Sequence, residues 1–285
     1  IQPQWIQGLE EIHPSSNRIL VEGKPGSGKS TGMELLHRDW EEEAAKQTLR
    51  FFLYVPEDAG QVEKKRNDPD WFRHQLAAQL HDTFPEAFTE DVSLPIWTGT
   101  DALQSYIDRV AEWAEGEGKQ LSIVIDGLDH ALPSFGDTTH GDQIEDTILE
   151  EIASLIFPSP LTLLMVSRPL SPTVKEELSV GTEITVPQWN IDEIKIFLEQ
   201  KGISTTDDLV SRLQNVSGGL PVILSHLLRK AEISNNNLEE GLLSALSEAS
   251  EVDGELEEYY QTVWEPLSPH ERDATTLVAL NPTGL

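Results

Sequence analysis

One corner constrains this chain more than anything else in it. RILVE at 18–22 reads as a short strand, and a helical pattern with Met33, Leu36, Trp40 and Ala44 on one face begins at Lys29. Between them the chain turns through GKPGSGK, where Gly23, Gly28, Lys29 and Ser30 satisfy the spacing G-x-x-x-x-G-K-[ST]. Backbone N–H groups converge on one anion only where no Cβ blocks the approach, which is what glycine supplies. A helix starting at Lys29 aims the positive end of its dipole at the same point. The corner is a P-loop, a cradle for phosphate. Lys29 brings a charge between the β- and γ-phosphates, and Ser30 offers an oxygen to Mg²⁺. The candidate nucleotide contacts are Gly23, Lys24, Pro25, Gly26, Ser27, Gly28, Lys29, Ser30 and Thr31.

Downstream, strands alternate with helices. LRFFLYV (49–55) is a second strand, a helix over 70–84 opens on an Asp cap, and another spans 100–118. LSIVID (121–126) and LTLLMVS (161–167) are continuous apolar runs, the pattern of central strands covered on both faces. A helix over 141–156 lies between them, and TEITV (182–186) is the last strand. The alternation predicts an α/β fold with a parallel sheet sandwiched by helices. After Pro187 only helices follow, near 191–201, 206–216, 220–231, 237–247 and 253–265, with a last one from 268 to about 280. The expected organisation is a lead-in over 1–17, an α/β domain over 18–187, a small helical domain over 188–232, a helical connector over 233–267 and the start of a further module over 268–285. The first residue is Ile1 and the last stretch breaks off in a helix and turn, so the chain reads as a piece of a longer polypeptide.

Charge narrows the partners. Twenty basic residues against 50 acidic ones give a net charge of −30, which repels nucleic-acid phosphates and anionic membranes. Such a surface is a heavily solvated exterior, as in a salt-loving organism, or a face for a basic partner. No cysteine is present, which excludes disulfides and thiolate zinc sites and fits an intracellular protein. No apolar stretch approaches a membrane span.

A P-loop needs an acid at the end of a nearby strand to hold Mg²⁺ through its water shell. Asp126 closes an aliphatic run at the end of a strand, where α/β sheets place ligands. Gly127 leaves room beside it. Asp129 is the candidate general base or water-orienting group, and His130 either shares that work or only packs. Arg168 follows the next apolar run, placed to reach a γ-phosphate and report its presence. Lys29, Asp126, Asp129 and Arg168 are thus the catalytic candidates, with Ser30 and Asp126 as the Mg²⁺ ligands.

GKPGSGKST, IVIDGLDH, LLMVSRP and GGLPVIL, in this order, resemble the STAND class of P-loop NTPases, most closely its NACHT-like branch. YYQTVWEPLSPHERDATTLVALNPTG resembles the approach to the winged-helix module of such proteins, which would make 268–285 its truncated beginning. The resemblance implies a switch. ADP holds a closed, inactive monomer; a trigger sensed by a C-terminal domain admits ATP; the opened protein forms a homo-oligomer, and an effector domain acts in immunity, cell death or transcription. Many prokaryotic relatives resemble antiviral defence ATPases. By the same likeness Lys29 binds phosphate, Ser30 and Asp126 serve Mg²⁺, Arg168 is the sensor and Pro221 packs near the adenine. ATP and ADP are the implied ligands, with no membrane or nucleic-acid partner and a cytoplasmic location. The family commonly has an acid where His130 stands, so the departure implies slow hydrolysis.

Other readings stay open. A small-molecule kinase would need an acceptor site and an arginine-rich lid, and neither is visible. An AAA+-type or other constitutive P-loop ATPase acting on nucleic acid or protein usually carries an arginine early in its helical lobe. Here that place holds Gly219-Leu220-Pro221, although Arg229 follows closely. An inert scaffold with a vestigial loop sits poorly with Lys29, Ser30 and Asp126 all in place.

Overall fold

The apolar runs become the strands of one parallel sheet. The structure, a computed structural model, describes residues 4–12, 17–43, 45–53, 68–88, 99–131, 147–234 and 238–248. Its strands are β1 (Arg18–Glu22), β2 (Lys46–Phe52), β3 (Gln120–Asp126), β4 (Leu161–Ser167) and β5 (Thr182–Thr185), in the order β2-β3-β4-β1-β5. The helices of this part are α1 (Gln4–Ile12), α2 (Lys29–Glu41), α3 (Pro69–Thr83), α4 (Thr100–Gly116), α5 (Ile148–Ser154) and α6 (Pro172–Glu177).

Strand alternation explains why β3 and β4 carry apolar residues on both faces. Ile123 and Ile125 of β3 and Leu163 and Met165 of β4 join a core with α3, α4, α5 and α6 on one face. Val124, Leu164 and Val166 point the other way, into a core with α1 and α2. Each strand is covered twice, as expected of a three-layer α/β fold.

The differences from expectation have local causes. β2 starts at Lys46 rather than 49, because the polar Lys46, Gln47 and Thr48 pair with Gln120, Leu121 and Ser122 of β3 through backbone alone. The cap of α3 is Asp68, which accepts from Asp70 N and Trp71 N ahead of Pro69 at the first helical position. The lead-in holds α1, whose Trp5, Ile6 and Leu9 are buried with Met33, Leu36 and Trp40 of α2. Gly32 of α2 admits Trp5, since a Cβ there would stand 2.1 Å from Trp5 Cζ2. Residues 54–55, 141–146, Ala44, the expected helices after 253 and the winged-helix start lie outside the described residues.

The chain divides into two compact units, the larger formed by Gln2–Lys24 with Gly28–Pro187, the smaller by Gln188 onward together with Ile1 and Pro25–Ser27. The smaller is helical: α7 (Ile191–Gln200), α8 (Asp207–Ser217), α9 (Pro221–Ser234) and α10 (Leu238–Glu248). Its core gathers Ile194, Leu198, Leu213, Ile223, Leu227 and Leu242. An Asn190–Glu193 capping box starts α7. Gly218 ends α8 in the left-handed conformation, and Gly219 (φ 74°) lets its carbonyl accept from Trp189 N at 2.8 Å. Among the described residues no helix is long and apolar enough to cross a membrane.

Candidate functional site

Three neighbouring strands end at one level. The register pairs Glu22 of β1 with Ser167 of β4, and Val166 of β4 with Asp126 of β3. The turns that leave them carry the glycine-rich loop, the acidic pair and the arginine, beyond the carboxyl ends where parallel sheets place ligands. Backbone bonds tie the exits together, Gly23 N to Ser167 O at 3.3 Å and Gly127 N to Val166 O at 2.9 Å.

The loop bends through Gly26 (φ 73°) and Gly28 (φ 90°), conformations that glycine adopts without strain, and α2 begins at the next residue. Lys29 Nζ donates to Gly23 O at 2.6 Å and to Lys24 O at 3.0 Å, so the ammonium lies inside the curl of the loop. Burial pulls its pKa below the usual lysine value, against the pull of the Asp129 and Asp126 carboxylates.

Asp126 ends β3 and is buried, and the Ser30 hydroxyl is near enough to its carboxyl to favour the charged form. Oδ2 of Asp126 is buried and has no hydrogen-bond partner among the described residues. Burial raises this carboxyl's pKa, with Ser30, Arg50 and Lys29 acting the other way. A hydroxyl and a buried carboxylate oxygen side by side, next to a lysine, fit a hydrated Mg²⁺, which takes few protein ligands and completes its shell with water and phosphate.

Asp129 lies on the 3₁₀ turn Leu128–Ala131, just past Gly127 (φ 87°), and is 5% exposed. Its Oδ1 accepts from Arg168 N at 3.1 Å and from Ser167 Oγ at 3.4 Å, and its Oδ2 lies 3.1 Å from Arg168 Nε. The two residues given separate tasks on sequence grounds are thus partners. His130 Nε2 stands 3.7 Å from the same carboxylate, but burial lowers its pKa, so at neutral pH it is uncharged. Lys29, Ser30, Asp126, Asp129 and Arg168 all belong to the larger unit, whereas Pro221 opens α9 in the smaller one.

Sequence reasoning missed Arg50. It sits on β2 opposite Val124, one strand over from Asp126, pairs with Glu34 and stacks over Phe52 at 4.8 Å. Only the β2–β3 register reveals its proximity to Asp126.

The family model Nephrocystin 3, N-terminal, matches residues 3–168. No curated protein matches the chain. Among solved structures the chain is similar to a Walker-type ATPase of Pyrococcus abyssi, at 12% identity over 98% of this chain and 77% of that one, with a TM-score of 0.57. It is similar to the ORC2 protein of Aeropyrum pernix in its ADP form, at 15% identity over 94% and 68%, with a TM-score of 0.52. Cdc6p of Pyrobaculum aerophilum matches at 13% identity over 82% and 62%, with a TM-score of 0.51. What these likenesses share with the chain is the fold, a P-loop NTPase sheet with flanking helices.

Proposed function

The chain belongs to the Nephrocystin 3, N-terminal, family, and on that footing we propose that it binds ATP and hydrolyses it slowly, as the switch of a STAND signalling protein. The observation that carries the reading is one constellation. Lys29 lies within the loop, Ser30 stands beside the buried Asp126 carboxyl, and Asp129 is bonded to Arg168, on turns from three adjacent strands.

In this reading the loop amides and Lys29 bind the β- and γ-phosphates. Ser30, and Asp126 through water, hold Mg²⁺, which when bound draws charge from the phosphates. Hydrolysis forms a bond from water oxygen to the γ-phosphorus and breaks the bond to ADP, and Asp129 takes the proton. Asp129 is engaged by Arg168, so this base is not free and turnover is slow. A guanidinium shared between Asp129 and a γ-phosphate would favour different partners in the two nucleotide states, and only such differential affinity shifts a two-state equilibrium. Homo-oligomerisation, a trigger sensed elsewhere in the full protein and a role in antiviral or innate immune defence complete the proposal.

A second reading, an AAA+-type ATPase acting on nucleic acid or protein, draws on the fold shared with ORC2 and Cdc6p and on the exposed Arg229 of α9. The net charge of −30 opposes a nucleic-acid partner. Sedimentation and steady-state turnover of the full-length protein separate the two. The switch predicts a monomer with ADP, an oligomer with a non-hydrolysable ATP analogue, and slow turnover. Rapid turnover with no nucleotide-dependent assembly would overturn it in favour of the constitutive ATPase.

A further inference from the structure

Glu22 is a buried carboxylate on the last residue of β1, immediately before the loop. Its side chain turns away from the loop and toward the segment that follows β4. Oε2 accepts from Leu170 N at 3.4 Å, and Lys175 Nζ of α6 donates to Oε1 at 3.0 Å. Lys175 also donates to Glu183 of β5 at 2.7 Å. Burial alone would lower the Lys175 pKa, but hydrogen bonds from Nζ to Glu183 and Glu22 raise it, so the ammonium stays charged.

These bonds fall on both sides of Arg168. Before it, Ser167 O accepts from Gly23 N at 3.3 Å, and Arg168 N is bonded to Asp129. After it, Leu170 N is bonded to Glu22. The four residues Ser167–Leu170 are thus tied to the root of the phosphate loop at both ends, through Gly23 and Glu22. A charged acceptor in a buried place needs a cation, and Lys175, 3.0 Å from Glu22, is that cation.

We infer that Glu22, neutralised by Lys175, is a positioning residue that fixes the turn carrying Arg168 relative to the phosphate loop. The inference rests on the ATPase reading above and assigns to that site a residue outside its motifs. Misplacement of a transition-state charge by a fraction of an ångström slows chemistry far more than it weakens binding of the product nucleotide.

The test compares Glu22→Leu, Glu22→Gln and Lys175→Met by ADP calorimetry, single-turnover ATP hydrolysis and thermal unfolding. Glu22→Leu is expected to slow hydrolysis about tenfold with ADP affinity changed less than about twofold. Glu22→Gln, whose amide oxygen still accepts from Leu170 N, recovers most of the rate. Lys175→Met, which removes the tether from α6, slows hydrolysis several-fold and decides the matter if Glu22→Leu does not fold. A wild-type rate in folded Glu22→Leu or Lys175→Met overturns the inference. So does a Glu22→Gln rate as low as that of Glu22→Leu. Wild-type protein that binds no ADP defeats the ATPase reading instead.

Discussion

Asp129 holds Arg168 at two points, accepting from its backbone N–H at 3.1 Å and lying 3.1 Å from its Nε. The carboxylate is almost fully buried while the guanidinium is 39% exposed, so the partners are unequal. Removing the guanidinium strands a buried charge, whereas removing the charge leaves an arginine free to turn to water. Arg168→Ala is therefore expected to destabilise by about 1–3 kcal/mol, below the cost of breaking a wholly buried pair because solvent already screens the arginine. Asp129→Asn in the same background restores part of that loss in urea unfolding, a coupling that a double-mutant cycle reads directly. Asp129→Asn alone slows single-turnover hydrolysis and spares nucleotide affinity.

Asp126 is a site of stored cost. Burial raises its pKa above the unfolded value, so the folded chain is favoured while the carboxyl is protonated and loses stability as pH rises through the folded pKa. Asp126→Asn is expected to stabilise the nucleotide-free protein at neutral pH by about 1 kcal/mol, some 2–4 °C in Tm for a unit of this size. The gain shrinks on acidification, where the native carboxyl is itself neutral. The same variant loses Mg²⁺-dependent hydrolysis. Thermal scans across pH check both signs.

Gly32 and Trp5 are complementary surfaces. A methyl group at 32 would stand 2.1 Å from the indole, and both residues are buried, so Gly32→Ala displaces α1 from α2 at a cost of about 1–3 kcal/mol. Helix propensity favours alanine over glycine there, so any net loss measures the clash. Adding Trp5→Ala to Gly32→Ala removes the clash, and the double variant falls short of the summed single losses.

Gly219 explains the glycine pair before Pro221 without reference to nucleotide. Its φ of 74° and a Cβ position 2.3 Å from Trp189 O exclude any side chain. Gly219→Ala is expected to destabilise the smaller unit by more than about 1 kcal/mol, because the strained conformation and the backbone clash act together. Amide exchange should rise in α8 and α9 and stay unchanged in the larger unit.

What the sequence made legible follows from range. Lys29, Asp126 and Arg168 each sit within a few residues of an apolar strand, so motif and strand end locate them together. The pairing of Asp129 with Arg168 spans 39 positions and that of Lys175 with Glu22 spans 153, and both depend on strand order, which hydrophobic patterning does not carry. Helix α1 is amphipathic, with Trp5, Ile6 and Leu9 on one face, but its seat against α2 depends on the close approach of Trp5 to Gly32, which patterning along the chain does not show. The polar start of β2 was invisible for the opposite reason: its pairing uses backbone, and the pattern registers side chains.

Calorimetric titration of wild-type protein and Lys29→Ala with ADP, and with adenosine as the phosphate-free control, tests the phosphate cradle most directly. The account predicts that the wild type binds ADP far more tightly than adenosine, and that Lys29→Ala loses at least about 100-fold in ADP affinity while its adenosine binding stays as it was. Equal affinity of wild type and Lys29→Ala for ADP, in protein that unfolds at the same temperature, would contradict it.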